Sequence, residues 1–308
     1  MLRVRAASAV ETEWVPGFEV DPVALLRPHR RGHADPAWKL DARGTVWRAC
    51  TTPLGTATLA VRRGAAHVRA RAWGPGAEWV IDGLPDLLGA SDDDSGFIAH
   101  HPVIVEARTL RPDLRLGSTR RVWDALLPAI LEQKVTGKEA WRTWRELCAR
   151  FGEPAPGPTP EPMFAPPTPE RVRAIPDWEW HRAGLDGARR RALLAAASVA
   201  DRLESAAELR GVQGRDLLRR IPGIGVWTAA EVAQRAWGDP DAVSFGDFHL
   251  AKIVGWALLG HDIDDARLHE LLKPYAPQRQ RAIRYLEGAG VRRPRFGPRY
   301  SPRDYRAF

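Results

Sequence analysis

Cysteine, methionine and lysine are scarce in this chain, and no long hydrophobic run crosses it. Two cysteines, Cys50 and Cys148, cannot build a disulfide framework or a four-cysteine zinc or iron–sulfur site, so no iron–sulfur cluster is expected. No apolar stretch approaches the roughly 18–20 residues of a membrane span. The opening MLRVRAASAVETEW also lacks the apolar core of a signal peptide, so a cytoplasmic protein with no membrane contact is the expectation. A P-loop, a dinucleotide fingerprint and a metal-ligand spacing among the histidines are all missing.

What is present is arginine. Only five of the 46 cationic residues are lysine, the formal charge is +8, and an anionic partner such as nucleic acid is suggested. Much of that charge sits at one end: 281–308 holds eight arginines against two acids, leaving +2 for residues 1–280. A length of 308 residues implies about two domains with a sizeable core.

The hydrophobic period divides the chain. Residues 1–20 show neither helical nor strand alternation and read as a loose N-terminal tail. A β-rich domain follows over 21–112. Within it Ala57, Leu59 and Val61 alternate with Thr56, Thr58 and Ala60, and after a turn at Arg62-Arg63-Gly64, Val68, Ala70 and Ala72 alternate with His67, Arg69 and Arg71. That predicts a hairpin with one wet, basic face. From Ser118 the period becomes 3.6, with Ser118 as a candidate cap and Pro128 as a kink or restart. The proline-rich stretch 153–169 reads as a surface connection. Residues 113–290 form the helical domain, and 291–308 a basic Pro/Arg-rich tail. The fold class is α+β, mainly α.

The most informative string is Leu217-Leu-Arg-Arg-Ile-Pro-Gly-Ile-Gly-Val-Trp-Thr-Ala-Ala230. Pro222 ends one amphipathic helix, Gly223 and Gly225 permit a tight turn with positive φ, and Ile224 can plug the space between two helices. The turn leaves the amides of Gly223, Gly225 and Val226, with Thr228 one turn on, at a helix N-terminus suited to a DNA phosphate. Twenty residues past Trp227, Gly246-Asp247-Phe248 opens another helix. Asp247 stands where an N-cap belongs. A carboxylate held beside a gripped phosphodiester can also stabilise the positive charge on a deoxyribose as its base leaves.

On these residues the chain resembles the helix-hairpin-helix DNA glycosylases, and within them the bacterial 3-methyladenine DNA glycosylase II branch. The resemblance rests on P-G-I-G-x-W-T-A (222–229), Arg235-Ala236-Trp237, the I-L-x-Q segment at Ile130–Gln133 and Pro167-Thr168-Pro169. It covers about 117–260 and implies a TATA-box-protein-like β-rich half before the helical core. It implies Asp247 as the catalytic carboxylate of a base excision repair enzyme. Bifunctional relatives carry a lysine where this chain has Trp227, so hydrolysis without strand cleavage is implied. Trp227 and Phe248 would line a pocket binding cationic alkylated purines of the 3-methyladenine type by their ring faces. A core tryptophan is the plain alternative for Trp227.

The branch inserts an apolar wedge after the I-L-x-Q glutamine, where this chain has Lys134. Lys134, or Gln133 beside it, would then enter the gap left by the flipped base. The resemblance also implies a structural Na+ or K+ held by the carbonyls of Arg219, Ile221 and Ile224, with no cofactor required. The expected partner is double-stranded DNA with damaged bases, bound by a monomer. Two other readings stay open: another lesion, such as hypoxanthine or a bulkier adduct, or a non-catalytic protein binding damaged or bent DNA.

Overall fold

The computed structural model describes residues 9–288 and 290. The basic tail at 291–308, expected to add salt-sensitive DNA affinity, lies outside them. An antiparallel sheet of order β1-β5-β4-β3-β2 is built from β1 (Val10–Trp14), β2 (Trp38–Leu40), β3 (Val46–Thr52), β4 (Gly55–Arg63) and β5 (Val68–Trp73). Its core gathers Val20, Leu26, Val46, Leu59, Val61 and Leu84. A larger helical core gathers Trp123, Leu126, Ile130, Trp144, Leu193, Ile224 and Val232. A third core joins Phe97 and Ile104 to Val243, Val254, Tyr275 and Tyr285. The α+β, mainly helical, class holds.

The structure corrects several sequence expectations. Residues 10–14 are not a loose tail but an edge strand in which Val10, Thr12 and Trp14 are half-buried while Glu11 and Glu13 face water. That strand also changes the basic face of β5. Glu11 stands opposite Arg71 and Glu13 opposite Arg69, with ion pairs of 3.1 and 2.7 Å, so the arginines are matched across the strands. Strand β4 is buried on both sides from Thr56 to Val61 rather than alternating.

Part of its cover is the proline-rich stretch, which is no mere connection. It forms a short ribbon of β6 (Glu153–Pro154) and β7 (Phe164–Ala165), and Met163 and Ala165 pack on Ala49 of β3.

The helical lobe begins earlier than residue 113. Helix Pro102–Leu110 lies against the terminal helix Arg279–Gly288, and its Ile104 and Ala107 belong to the third core. Asp92, in the loop between the sheet and helix Pro102–Leu110, pairs with fully buried Arg281 through bonds of 2.5 and 2.9 Å. Ser118 caps no helix, since its hydroxyl donates to the carbonyl of Ala236. The helix Val122–Leu131 starts four residues later, and the Glu204 carboxylate accepts the first amides, Val122 and Trp123, at 2.8 and 3.0 Å. Pro128 stays inside that helix instead of restarting it.

The two lobes meet along a polar seam. Arg48 of β3 pairs with Asp124 of the first long helix, both nearly buried. Asp35 accepts the Trp144 indole N–H at 2.8 Å and the Arg31 and Ala37 amides at 2.5 and 2.9 Å. Loss of solvent raises the Asp35 carboxyl above its ordinary range, against the pull of those bonds. The Arg235 guanidinium crosses the seam to the Pro28 carbonyl at 3.2 Å.

Candidate active site

Two helices, Gly211–Arg219 and Val226–Ala236, meet at the Pro-Gly-Ile-Gly turn. Ile224 is buried in the helical core, as a plug between them would be. Only Gly223 adopts positive φ, at 88°, and a Cβ there would lie 2.7 Å from the Ala192 methyl. Gly225 instead has φ −94° and serves as the N-cap, correcting the expectation of two left-handed glycines. A glycine cap has no side-chain oxygen to offer the first turn. Accordingly, the amides of Gly223, Gly225, Val226 and Trp227 donate to no acceptor among the described residues. Gly223, Gly225 and Val226 are all exposed. Unsatisfied amides at the positive end of a helix dipole form an anion site.

Thr228 departs from the expectation of a phosphate contact through its side chain. It is buried, and its hydroxyl accepts the Gln133 amide at 2.8 Å. The same Gln133 nitrogen donates to the Gly223 carbonyl at 2.9 Å. Gln133 is therefore not a free gap-filler: it ties the loop at 132–136 to the hairpin and braces the turn. Lys134, beside it, is exposed and holds φ +54°, a conformation unfavourable for any residue with a Cβ. Of the two wedge candidates, it alone projects into solvent.

The hairpin carbonyls fit a monovalent cation in donor type. The Ile221 carbonyl takes the Ile224 amide at 3.0 Å, whereas those of Arg219 and Ile224 receive no N–H among the described residues.

Asp247 lies on the loop that runs back along the second hairpin helix. Gly246 turns the chain at φ +82° and donates its amide to Asp265 at 2.7 Å. One carboxylate oxygen of Asp247 accepts the His249 and Leu250 amides at 2.7 and 2.9 Å, ahead of helix Leu250–Leu259. Its other oxygen accepts the Trp227 indole N–H at 3.0 Å. Capping and orientation thus coexist in one side chain, and the hairpin reaches the carboxylate through a single bond. Trp227 is half-buried and is not the plain core tryptophan of the alternative reading.

Phe248 sits differently from a pocket wall. It is 62% exposed, and the Lys252 ammonium lies 4.0 Å from its ring centre. One face offered to a cationic base already carries a cation. Sequence reasoning missed the polar network behind Trp227 and Asp247. Glu231, one turn beyond Trp227, accepts the Ser244 hydroxyl at 2.5 Å and Arg235 at 2.8 Å. Gln234 donates to Ser244 at 2.9 Å, and the Ser244 carbonyl accepts the Asp247 amide at 3.2 Å. The i, i+4, i+7 spacing from Trp227 was the available signal.

No family model matches the chain. It is 29% identical over 232 residues to a probable bifunctional transcriptional activator/DNA repair enzyme AlkA of Mycobacterium tuberculosis. That match takes in 69% of this chain and 44% of the relative, so the chain spans less than half the length of the curated relatives it matches. Among solved structures, a 3-methyladenine DNA glycosylase from Archaeoglobus fulgidus superposes with a TM-score of 0.72 at 17% identity, over 89% of this chain and 96% of that one. The chain has the fold of the helix-hairpin-helix DNA glycosylases. A Clostridium acetobutylicum 8-oxoguanine glycosylase/lyase shares it with a TM-score of 0.71 at 12% identity, over 92% of this chain and 96% of the other. The β-rich lobe is thus part of the shared fold, because both superpositions run through nearly the whole chain.

Proposed function

We propose that the chain is a monofunctional DNA glycosylase of base excision repair that hydrolyses the N-glycosidic bond of damaged purines after extruding them from duplex DNA. The observation carrying this reading is the Trp227–Asp247 hydrogen bond, which fixes a carboxylate beside an open phosphate-binding hairpin. The free amides of the hairpin grip the backbone, and Lys134 enters the duplex. When the bond between sugar C1′ and base nitrogen breaks, the electron pair leaves on the base. The Asp247 carboxylate stabilises the cationic sugar, and water adds at C1′ and loses its proton. Trp227 holds one carboxylate oxygen in place; an indole forms no Schiff base, which supports hydrolysis without strand cleavage. A monovalent cation held by the carbonyls of Arg219, Ile221 and Ile224 would add positive charge beside the phosphate.

For the lesion, the half-buried Trp227 ring supports alkylated purines of the 3-methyladenine type, whose positive charge an electron-rich ring face attracts. A second reading, an uncharged lesion, is favoured by Lys252 over Phe248. The enzyme is taken to act as a monomer in the cytoplasm.

The test is to incubate duplexes carrying methylated purines with wild-type protein and Asp247→Asn, then score abasic sites with alkali. Release by the wild type and a loss of about 10²-fold or more in the variant are expected. No release by either removes the enzyme reading and leaves a DNA-binding protein. Strand breaks without alkali would contradict the role given to Trp227.

A further inference from the structure

The Asp247 carboxylate is held by three N–H groups, from Trp227, His249 and Leu250, but the loop that carries it is held by other bonds. Residues 244–247 run between two helices. Phe245 stacks its ring on His269 and the Gly246 amide donates to Asp265 at 2.7 Å, so helix Asp265–Leu272 holds these two. Ser244 turns the other way, to the second hairpin helix. Its hydroxyl donates to Glu231 at 2.5 Å and accepts the Gln234 amide at 2.9 Å. Its carbonyl accepts the Asp247 amide at 3.2 Å.

The bonding pattern at Ser244 has one solution. A hydroxyl carries a single hydrogen, and the Glu231 carboxylate, with Arg235 on its other oxygen, can only accept it. The Gln234 nitrogen also donates to the Ala242 carbonyl at 2.8 Å, which fixes the orientation of its amide. Ser244 is only 5% exposed, so the contact is shielded from water.

Three side chains of one helix face therefore act on Asp247. Trp227 holds the carboxylate, while Glu231 and Gln234, four and seven residues on, hold the serine that begins its loop. The same helix starts with the open amides that suit a phosphate, so one rigid element spaces the carboxylate from a gripped backbone. That spacing matters, because a displacement of about 1 Å can cost 10²-fold in rate. The aim of the carboxylate matters too. One of its oxygens is filled by two amides, whereas the oxygen bonded to Trp227 keeps a lone pair for the sugar.

We propose that Ser244, oriented by Glu231 and Gln234, is a positioning residue that registers the Asp247 loop on the hairpin helix and aims the carboxylate at the sugar. The consequence for catalysis rests on the glycosylase reading, whereas the positioning itself has a readout that needs no substrate. The test uses the full chain with isotope-labelled tryptophan, the Trp227 indole N–H resonance being assigned through Trp227→Phe. It is paired with single-turnover release from duplexes carrying 3-methyladenine or 7-methylguanine. Ser244→Ala should move the Trp227 resonance toward that of an unbonded indole and lower the maximal release rate about tenfold. The half-saturating enzyme concentration, and affinity for a duplex with an abasic-site analogue, should stay within about twofold of wild type. Ser244→Thr keeps the hydroxyl and should restore the resonance and most of the rate. Gln234→Met leaves the serine–glutamate bond, should show the same changes at about threefold, and decides the outcome if Ser244→Ala does not fold. A wild-type resonance or a wild-type maximal rate in the deciding variant overturns the inference. So does a rate that falls only in step with duplex affinity, or a Ser244→Thr protein as slow as Ser244→Ala. A shifted resonance with no base released by the wild type overturns the glycosylase reading and leaves the positioning of Asp247 standing.

Discussion

The second hairpin helix, Val226–Ala236, is finished differently at its two ends. At its start a glycine cap leaves the amides of Val226 and Trp227 without acceptors among the described residues. At its finish the Arg235 and Ala236 carbonyls take the amides of Thr119 and Arg120, Ala236 also takes the Ser118 hydroxyl, and Arg235 spans the seam to Pro28. One helix is therefore open where DNA would approach and closed where the lobes join. The difference teaches that this fold keeps its binding capacity in unsatisfied backbone groups and its rigidity in satisfied ones.

The closed end should be the harder to disturb without unfolding. Asp124→Ala strips the partner from Arg48, whose side chain is 9% exposed, and leaves a buried charge. A loss of about 3–5 kcal/mol in denaturant unfolding is expected. A loss below about 1 kcal/mol would mean that water reaches Arg48 and that the seam is looser than its geometry.

The open end should respond less in stability and more in binding. Gly223→Ala puts a Cβ at φ +88° against Ala192 and presses on the turn that Gln133 braces. About 2 kcal/mol of destabilisation is expected, together with weaker duplex binding. Unchanged duplex affinity at reduced stability would separate the turn's fold from its function.

Legibility in the sequence followed the same division. The hairpin is local chemistry, proline and glycine setting a turn between two periodic runs, and Asp247 stands at a fixed interval from it. Both were readable. What was not readable depended on partners far along the chain. Glu204 caps a helix 82 residues before it, so the start was placed at Ser118 instead of Val122. Gln133 looked like a wedge because its bond to Gly223 spans 90 residues. Helix Pro102–Leu110 was assigned to the wrong lobe because its packing partner is the terminal helix. Strand β1 was a different kind of miss: Val-Glu-Thr-Glu-Trp alternates cleanly, and only its shortness hid it.

Lys134 offers the smallest effect and the most direct test of the open end. A lysine at φ +54° is unfavourable by about 1–2 kcal/mol relative to the ordinary helical basin, and glycine would relieve that strain. Glycine also loses more chain entropy on folding, so Lys134→Gly should gain only about 0.5–1 kcal/mol or break even. Strain retained on an exposed residue needs a reason outside stability. If Lys134 enters the duplex, the glycine variant should unfold at an equal or higher temperature while binding and excising more weakly. A variant that is more stable and equally active would show that the strain belongs to the Gln133 brace next door, which forces the turn whatever residue follows it.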